Sequence, residues 1–241
     1  MKIYPNKSVQ SHIPASHGGR YSVKNTDSEI LDFSSSVNPL GCHPGVKRYL
    51  KKHLNSISEY PDSNSLLLRG NLNWYTGIPK KQIVVGNGAT EIIYNFCQTF
   101  LNKNTPVLIP IPTFSEYETA AKLCGCKVSF FKTMNITKTL QSFITKIPKR
   151  GCVFLCNPNN PTGKIIPRRL LDDIIQTAKE HDLYVLSDEI YYEYYVSGRT
   201  AYLPDVETAD YEKSIIIDSF SKSHAMTGFR IGYVVAEPSI I

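Results

Sequence analysis

The 241-residue sequence lacks any uninterrupted apolar run of about 18 residues, which argues against a membrane span. Its first ten residues lack the apolar core of a signal peptide, so we expect a cytoplasmic protein without a disulfide framework. None of its six cysteines forms the paired CxxC pattern of a zinc site. The formal charge is +6 without a dense basic stripe, so we expect no nucleic-acid partner and instead a small anionic substrate.

Seven short apolar runs recur along the chain, separated by longer amphipathic stretches. The runs occupy 82–85, 106–110, 127–131, 152–156, 183–187, 214–218 and 231–235. Several are apolar almost throughout, as expected of strands buried on both faces. Helices are predicted at 90–101, 116–124 and 168–180, with a short one near Lys222. This alternation predicts an α/β domain with a mostly parallel seven-stranded sheet, in which the short last connection allows an antiparallel final strand.

The first sixty or so residues have a different character. Turn-forming pairs such as Gly18-Gly19 and Asn38-Pro39 punctuate them, and only 45–54 predicts a clear helix. We interpret residues 1–58 as an N-terminal arm belonging to an incomplete small domain, and residues 59–241 as the large domain.

Lys222 follows the predicted strand at 214–218, and functional residues of open α/β sheets gather at the carboxyl ends of strands. A lysine at this place can form an imine with an aldehyde cofactor. Taken alone, it would be read as a solvated surface charge. Ser219 stands three residues before it and Arg230 eight residues after it, and together they could offer a hydroxyl and a guanidinium to one phosphate group.

Asp188 directly follows the predicted strand at 183–187, and Tyr191 comes three residues later. An aspartate facing the nitrogen of a pyridine ring keeps that nitrogen protonated, so that the ring accepts electrons. At about 3 Å and an effective dielectric of ~20, the attraction is on the order of 5 kcal/mol. The alternative is an aspartate that caps the next segment, which explains Asp188 but not its companions.

The segment NPNNPTG at 157–163 follows another strand and favours a turn. A turn needs no such specific heptapeptide, so we predict that Asn160 also bonds to a ring hydroxyl. Phe114, in the segment PTFSEY at 112–117, could stack on a planar cofactor, although core packing is the commoner role of such a ring.

The segment GNGATE at 86–91 joins a predicted strand to a predicted helix. Backbone amides at Gly88, Ala89 and Thr90 would open the helix and could hold a phosphate. Glu91 stands where a dinucleotide-binding GxGxxG segment has its third glycine, which argues against that alternative. We expect Glu91 to complete a helix cap instead.

In order, the segments GNGATE, PTFSEY, NPNNPTG, SDEIYYEY and SFSKSHAMTGFRIGY resemble the large domain of fold-type-I pyridoxal-phosphate enzymes, the class I/II aminotransferase superfamily. The resemblance runs from about His17 to the last residue. It implies a three-layer, aspartate-aminotransferase-like large domain and pyridoxal 5'-phosphate as the cofactor.

By this resemblance, Lys222 would form the imine and then shuttle protons, while Asp188 would bind the pyridinium nitrogen. Tyr191 and Asn160 would contact the ring oxygen, and Phe114 would stack on the ring. The phosphate contacts would come from Gly88, Ala89, Thr90, Ser219 and Arg230. Tyr60, in the segment YPD, matches a tyrosine that reaches the neighbouring subunit's site in relatives, which implies a homodimer.

Within the superfamily, the His-Gly-Gly segment at 17–19, with 31–34 and 37–41, is similar to threonine-phosphate decarboxylases of cobalamin synthesis. Histidinol-phosphate aminotransferases share YPD and PNNPTG but usually not that opening. The resemblance implies a phosphorylated amino-acid substrate, and for His17 the alternative is a tail residue without a role. Ser36 stands where relatives often carry asparagine. The predicted substrate contacts are His17, Gly18, Ser36, Asn38 and Asn160.

Three hypotheses about the reaction follow. The first is threonine-phosphate decarboxylation and the second is transamination of histidinol phosphate or another amine. The third is a truncated, non-catalytic chain that binds cofactor or a partner, because the family continues past the position of Ile241 into a C-terminal small domain with substrate-binding arginines.

Overall fold

The computed structural model describes residues 6–15, 17–19, 22, 31–194 and 211–241. All of the predicted site residues lie within these ranges. Part of the predicted arm lies outside these ranges. So does part of the first ten residues, from which we predicted that the chain has no signal peptide. Among the described helices, none has both the length and the apolar character needed to cross a bilayer.

Seven strands form one sheet, as the apolar runs predicted. Their bounds are β1 Ile83–Asn87, β2 Pro106–Ile111, β3 Lys127–Lys132, β4 Cys152–Cys156, β5 Tyr184–Asp188, β6 Ser214–Ser219 and β7 Ile231–Val235. The strand order is β1-β7-β6-β5-β4-β2-β3. β7 is antiparallel to both of its neighbours, and the remaining pairs are parallel, so the expectation of an antiparallel final strand is confirmed.

The α-helices in the described ranges are α1 Lys7–Gln10, α2 Pro44–Lys52, α3 Leu66–Thr76, α4 Gly88–Phe100, α5 Glu116–Leu123, α6 Leu140–Ile144 and α7 Arg168–His181. The predicted helices at 45–54, 90–101, 116–124 and 168–180 are confirmed within two residues at each end. The patterns did not predict α1, α3 or α6.

The prediction of a short helix near Lys222 is wrong. Turns occupy this region, and a 3-10 helix follows at Thr227–Phe229. The hydroxyl of Thr227 donates to the carbonyl of Ser221, and Ala225 has a positive φ of 51°. These features bend the backbone away from helical geometry, since side-chain hydroxyls offer it alternative hydrogen bonds.

Two apolar layers sandwich the sheet. In β4, Cys152 and Phe154 point into a core formed with α4 and α5, whereas Val153 and Leu155 point into a core formed with α6 and α7. All five residues of β4 are buried, as the continuous apolar run predicted. The three-layer α/β architecture is therefore confirmed, and the thiols of Cys152 and Cys156 are buried in its core.

The N-terminal part of the chain contributes little to these cores. Neither α1 nor α2 has a buried residue, and several large apolar side chains are fully exposed in the single chain. They include Phe33, Leu40, Ile57 and Tyr60. α3 differs, because its Leu72 packs in a third cluster with β1, β6 and β7. The domain division after residue 58 remains a prediction.

Candidate active site

A cavity of about 530 Å³ lies at the carboxyl ends of the parallel strands. Twelve of the fifteen predicted site residues line it, although they are spread over more than 200 positions of the chain. They are His17, Gly18, Ser36, Ala89, Thr90, Phe114, Asn160, Asp188, Tyr191, Ser219, Lys222 and Arg230. The sheet thus brings the five segments of the resemblance to one place.

Three predicted residues do not line the cavity. Gly88 lies just behind Ala89, against the guanidinium of Arg230. Asn38 donates to the carbonyl of Ser223 at 2.8 Å, so it braces the turn that carries Lys222. Tyr60 is fully exposed and does not line the cavity, and its role in a neighbouring subunit stays a prediction.

Asp188 is the last residue of β5 and is 1% exposed. Its Oδ2 accepts a hydrogen bond from the Tyr117 hydroxyl at 2.6 Å. Its Oδ1 accepts a long hydrogen bond of 3.4 Å from the amide of Ile190. Asp188 therefore caps the next segment weakly, which does not exclude a role in the cavity. Burial raises the pKa of Asp188 to about 6, against the opposing effects of Tyr117 and of the nearby charge of Lys222. A buried carboxylate on a cavity wall favours a cationic occupant.

Lys222 projects into the same cavity from the turn after β6. Its Nζ lies 5.7 Å from the ring centre of Tyr191. Burial lowers the pKa of Lys222, and Arg230 lowers it further, while Asp188 acts in the opposite direction. The backbone carbonyl of Lys222 accepts from the Tyr194 hydroxyl at 2.6 Å, which fixes the turn. A partly desolvated amine is a better nucleophile toward an aldehyde than a solvated ammonium.

Tyr191 connects the two sides of the cavity. Its hydroxyl accepts a hydrogen bond from Asn160 Nδ2 at 3.2 Å. Burial raises the pKa of Tyr191 to about 12, although a hydrogen bond with Ser36 lowers it. Tyr191 therefore stays a neutral phenol at physiological pH, and it can donate to an oxygen in the cavity.

The start of α4 lines one end of the cavity, through Ala89 and Thr90. The first amides of a helix have no intrahelical partner and attract anions. Glu91 accepts from the Asn87 amide at 2.6 Å, which confirms its predicted capping role and leaves the amides of Ala89 and Thr90 available. Arg230 reaches the same end, with Nη1 held by the carbonyl of Thr227 at 3.1 Å.

Gly88 has a φ of 83°, and a Cβ built on it would lie 2.5 Å from Arg230 Nη2. We predict that Gly88→Ala displaces this guanidinium and weakens the affinity for pyridoxal phosphate about tenfold or more, the effect of losing one charged hydrogen bond. The affinity for pyridoxal, which lacks the phosphate, should change much less. Equilibrium titration of the cofactor-free protein with each compound measures both.

The matched control for this substitution is Gly163→Ala. Gly163 also has a positive φ, at 64°, but a Cβ there meets nothing within 4 Å. It therefore carries the same backbone strain without the contact to Arg230. Equal losses of affinity in the two variants would contradict the predicted role of Gly88.

Several residues of the site were not predicted from the sequence. Tyr117, fully buried, holds Asp188, and Glu116 beside it bonds to His17 and Tyr94. Ser221 and Thr227 also line the cavity. Glu116 and Tyr117 belong to the PTFSEY segment. The signal in the sequence that could have indicated them was their closeness along the chain to Phe114.

Residues 28–241 match the family of class I and II aminotransferases, and the chain belongs to this family. A histidinol-phosphate aminotransferase of Geobacillus sp. (strain WCH70) is 31% identical over 214 residues, which cover 88% of this chain and 58% of that protein. The chain thus spans less than two thirds of the length of the curated relatives it matches.

Solved structures agree with this assignment. The L-threonine-O-3-phosphate decarboxylase of Porphyromonas gingivalis superposes with a TM-score of 0.73 at 26% identity, over 86% of this chain and 63% of that one. A double mutant of Thermus thermophilus aspartate aminotransferase superposes with a TM-score of 0.81 at 20% identity, over 99% of this chain and 66% of that one. The second likeness establishes the aspartate-aminotransferase-like fold alone.

Members of this family use pyridoxal 5'-phosphate, and the cavity's residues fit that group. Asp188 is a buried carboxylate suited to a pyridinium, and Lys222 is a partly desolvated amine. Gly88, without a side chain, leaves room for Arg230 beside the open amides of α4. The cavity therefore offers positive groups that suit a phosphate and a negative group that suits a protonated ring nitrogen.

Proposed function

We propose that this chain forms the cofactor-binding part of a pyridoxal-phosphate-dependent enzyme that acts on a small phosphorylated amino acid, with decarboxylation of O-phosphothreonine as its reaction. The observation that carries the proposal is the position of His17, which lines the same cavity as Lys222 and Asp188. His17 and Gly18 belong to the segment that resembles threonine-phosphate decarboxylases, and the Porphyromonas gingivalis structure supports this assignment.

The cofactor, when bound, supplies a protonated ring that withdraws electrons from the substrate bond being broken. Asp188 would hold the proton on the ring nitrogen, and Tyr191 with Asn160 would donate to the ring oxygen. Phe114 would pack on the ring. The phosphate would be held by Ala89, Thr90, Ser219 and Arg230. These contacts would hold the cofactor in one orientation in the cavity, and with it the position available to a substrate.

Lys222 would have two roles in this site. Its Nζ would provide the covalent attachment for the cofactor aldehyde. Once released, the same amine, whose pKa burial lowers, would hold a proton and deliver it to the substrate carbon that has lost CO₂. The net reaction replaces the carboxylate by a proton and yields one CO₂ for each aminopropanol phosphate.

Transamination of histidinol phosphate is the second candidate. The curated relatives with 31% and 35% identity carry that activity in their names, and this favours the same class of phosphorylated substrate. We also propose that a second copy of the chain completes the site. The exposed Tyr60 and the exposed apolar side chains of the N-terminal part support this arrangement.

The test is product analysis with the full chain and added pyridoxal phosphate. O-phosphothreonine is expected to give CO₂ and aminopropanol phosphate in equal amounts, without a need for 2-oxoglutarate. Lys222→Ala serves as the control for chemistry that free cofactor catalyses alone. Transfer of the amino group from histidinol phosphate to 2-oxoglutarate, without CO₂ from O-phosphothreonine, would replace the first candidate by the second.

A further inference from the structure

Glu116 is a buried carboxylate that the roles given above do not use. It is the first residue of α5 and is 6% exposed. Its Oε2 accepts from the Tyr94 hydroxyl at 2.6 Å, and its Oε1 lies 2.5 Å from Nε2 of His17. Both carboxylate oxygens are thus engaged, one by the large domain and one by the arm.

The charge of Glu116 needs a partner, because burying a carboxylate is costly unless a cation or strong donors compensate it. Burial raises the pKa of Tyr94 above its usual value, and Glu116 raises it further, so Tyr94 is a neutral donor. The N-terminus of α5 favours an anion at this position. The imidazole of His17 is the group that faces the remaining oxygen.

This contact fixes the orientation of the His17 ring. A carboxylate only accepts hydrogen bonds, so the proton of the contact belongs to Nε2 of His17. The centre of the same ring lies 5.9 Å from that of Phe114, at 43°. Two restraints therefore hold the imidazole at the cavity wall. Nδ1 has no hydrogen-bond partner among the described residues, and it would face a group that enters the cavity.

The backbone around His17 is part of a larger assembly. The Gly19 amide donates to Ser34 Oγ at 2.8 Å, and Ser34 Oγ donates to Asp32 Oδ1 at 2.6 Å. A Cβ on Gly18 would lie 2.4 Å from Ser34 Oγ, so only glycine permits this approach. Residues 17–19 and 32–36 thus pack as one unit, which we call the arm strap. Both parts of the arm strap line the cavity.

We propose that Glu116 is a positioning residue for substrate recognition: it docks the arm strap on the large domain and aims His17 at the phosphorylated substrate without touching that substrate itself. The inference rests on the proposed function and deepens it. It predicts that substrate affinity depends on a carboxylate that lies behind the cavity wall, while cofactor affinity does not.

The central variant is Glu116→Gln, which keeps the size of the side chain and removes its charge. We expect the affinity for O-phosphothreonine, followed by the absorbance of the bound cofactor, to fall about tenfold to a hundredfold, as for a lost charged hydrogen bond. The affinity for pyridoxal phosphate should stay within about twofold. Glu118→Gln is the matched control, because Glu118 lies on the same helix but pairs with Lys122 at the surface.

A double-mutant cycle with His17→Gln tests whether Glu116 acts through the imidazole. The double variant is expected to bind O-phosphothreonine as weakly as His17→Gln alone, because coupled residues are not additive. Full additivity of the two losses would overturn the proposal. Tyr94→Phe, which keeps the charged contact, should lose less affinity than Glu116→Gln.

Amide hydrogen exchange of the peptide 6–19 provides a readout that needs no substrate. Both Glu116→Gln and His17→Gln should speed exchange in this peptide several-fold, whereas Glu118→Gln should not. Unchanged exchange overturns the proposal even where phosphorylated ligands bind. A parent protein that binds neither O-phosphothreonine nor histidinol phosphate would instead refute the proposed function, and faster exchange in Glu116→Gln would then still support the docking role of Glu116.

Discussion

Replacing Lys222 with alanine is expected to abolish covalent attachment of pyridoxal phosphate and to lower turnover by at least about 10²–10⁴-fold, because one amine would serve both for attachment and for proton transfer. The amine lies beside the ring of Tyr191 and is partly desolvated. No other lysine lines the cavity in the described part of the chain. No other lysine side chain among the described cavity residues can therefore replace Lys222 in attaching the cofactor.

Absorbance spectroscopy with borohydride measures this effect. The parent protein should show an absorbance that borohydride removes, and proteolysis after reduction should leave the cofactor on a peptide that contains Lys222. The control is Lys146→Ala, which removes an exposed lysine after α6. A Lys222→Ala protein that kept the reducible absorbance would refute the assignment.

Replacing Asp188 with asparagine is expected to have two effects of opposite sign. The affinity for pyridoxal phosphate should fall, since the ring nitrogen would lose the charge that holds its proton; a shift of about 3 pKa units corresponds to roughly a thousandfold. The cofactor-free protein, by contrast, should become more stable at neutral pH, because the substitution removes a buried carboxylate whose desolvation Tyr117 and Lys222 offset only in part.

The direction of the pH dependence follows from the raised pKa of Asp188, about 6 in the folded chain against 3.8 as the reference. Between these two values the folded state binds more protons than the unfolded state. The free energy of unfolding of the cofactor-free protein therefore falls as the pH rises from about 4 to about 6. Above pH 6 the ionised Asp188 has lowered this free energy by about 3 kcal/mol in total.

Thermal unfolding of the cofactor-free protein at pH 4 and pH 8 measures this contribution. Asp188→Asn should raise the Tm at pH 8 by about 5–10 °C and leave it nearly unchanged at pH 4. Asp218, whose pKa burial raises to about 7, is present in both proteins, so most of its own pH dependence cancels in the comparison; the part that the charge of Asp188 adds is the smallest of the causes and is lost with the substitution. An equal change in Tm at both pH values would contradict the account of Asp188.

Local patterns predicted most of the fold because the central strands of the sheet are buried on both faces. A continuous apolar run such as β4 is typical of a strand in that position, so its bounds were predicted at 152–156 and observed there. The turn that bears Lys222 was predicted as a helix because serine and threonine hydroxyls bond to the backbone in ways that apolar periodicity does not reveal.

The cofactor side of the candidate site could also be predicted, since strand ends of a parallel sheet converge. Contacts between distant side chains could not. Tyr117 and Asp188 are 71 residues apart, and His17 and Glu116 are 99 apart. Nothing in the spacing of either pair indicates that the sheet and the arm bring them within hydrogen-bonding distance.

The pairing of β1 with β7 has a consequence for how the chain folds while it is being synthesised. β1 leads into α4, whose first residues are predicted to hold the phosphate of the cofactor, yet among the described strands β1 pairs with β7 alone. Arg230, which is predicted to share that role, lies 143 residues after Asn87 in the chain. At roughly 5–20 residues per second, a ribosome needs on the order of 10 s to cover that distance. A nascent chain therefore lacks Arg230 for seconds after β1 has been synthesised, and the predicted phosphate contacts can all form only once Arg230 has been added.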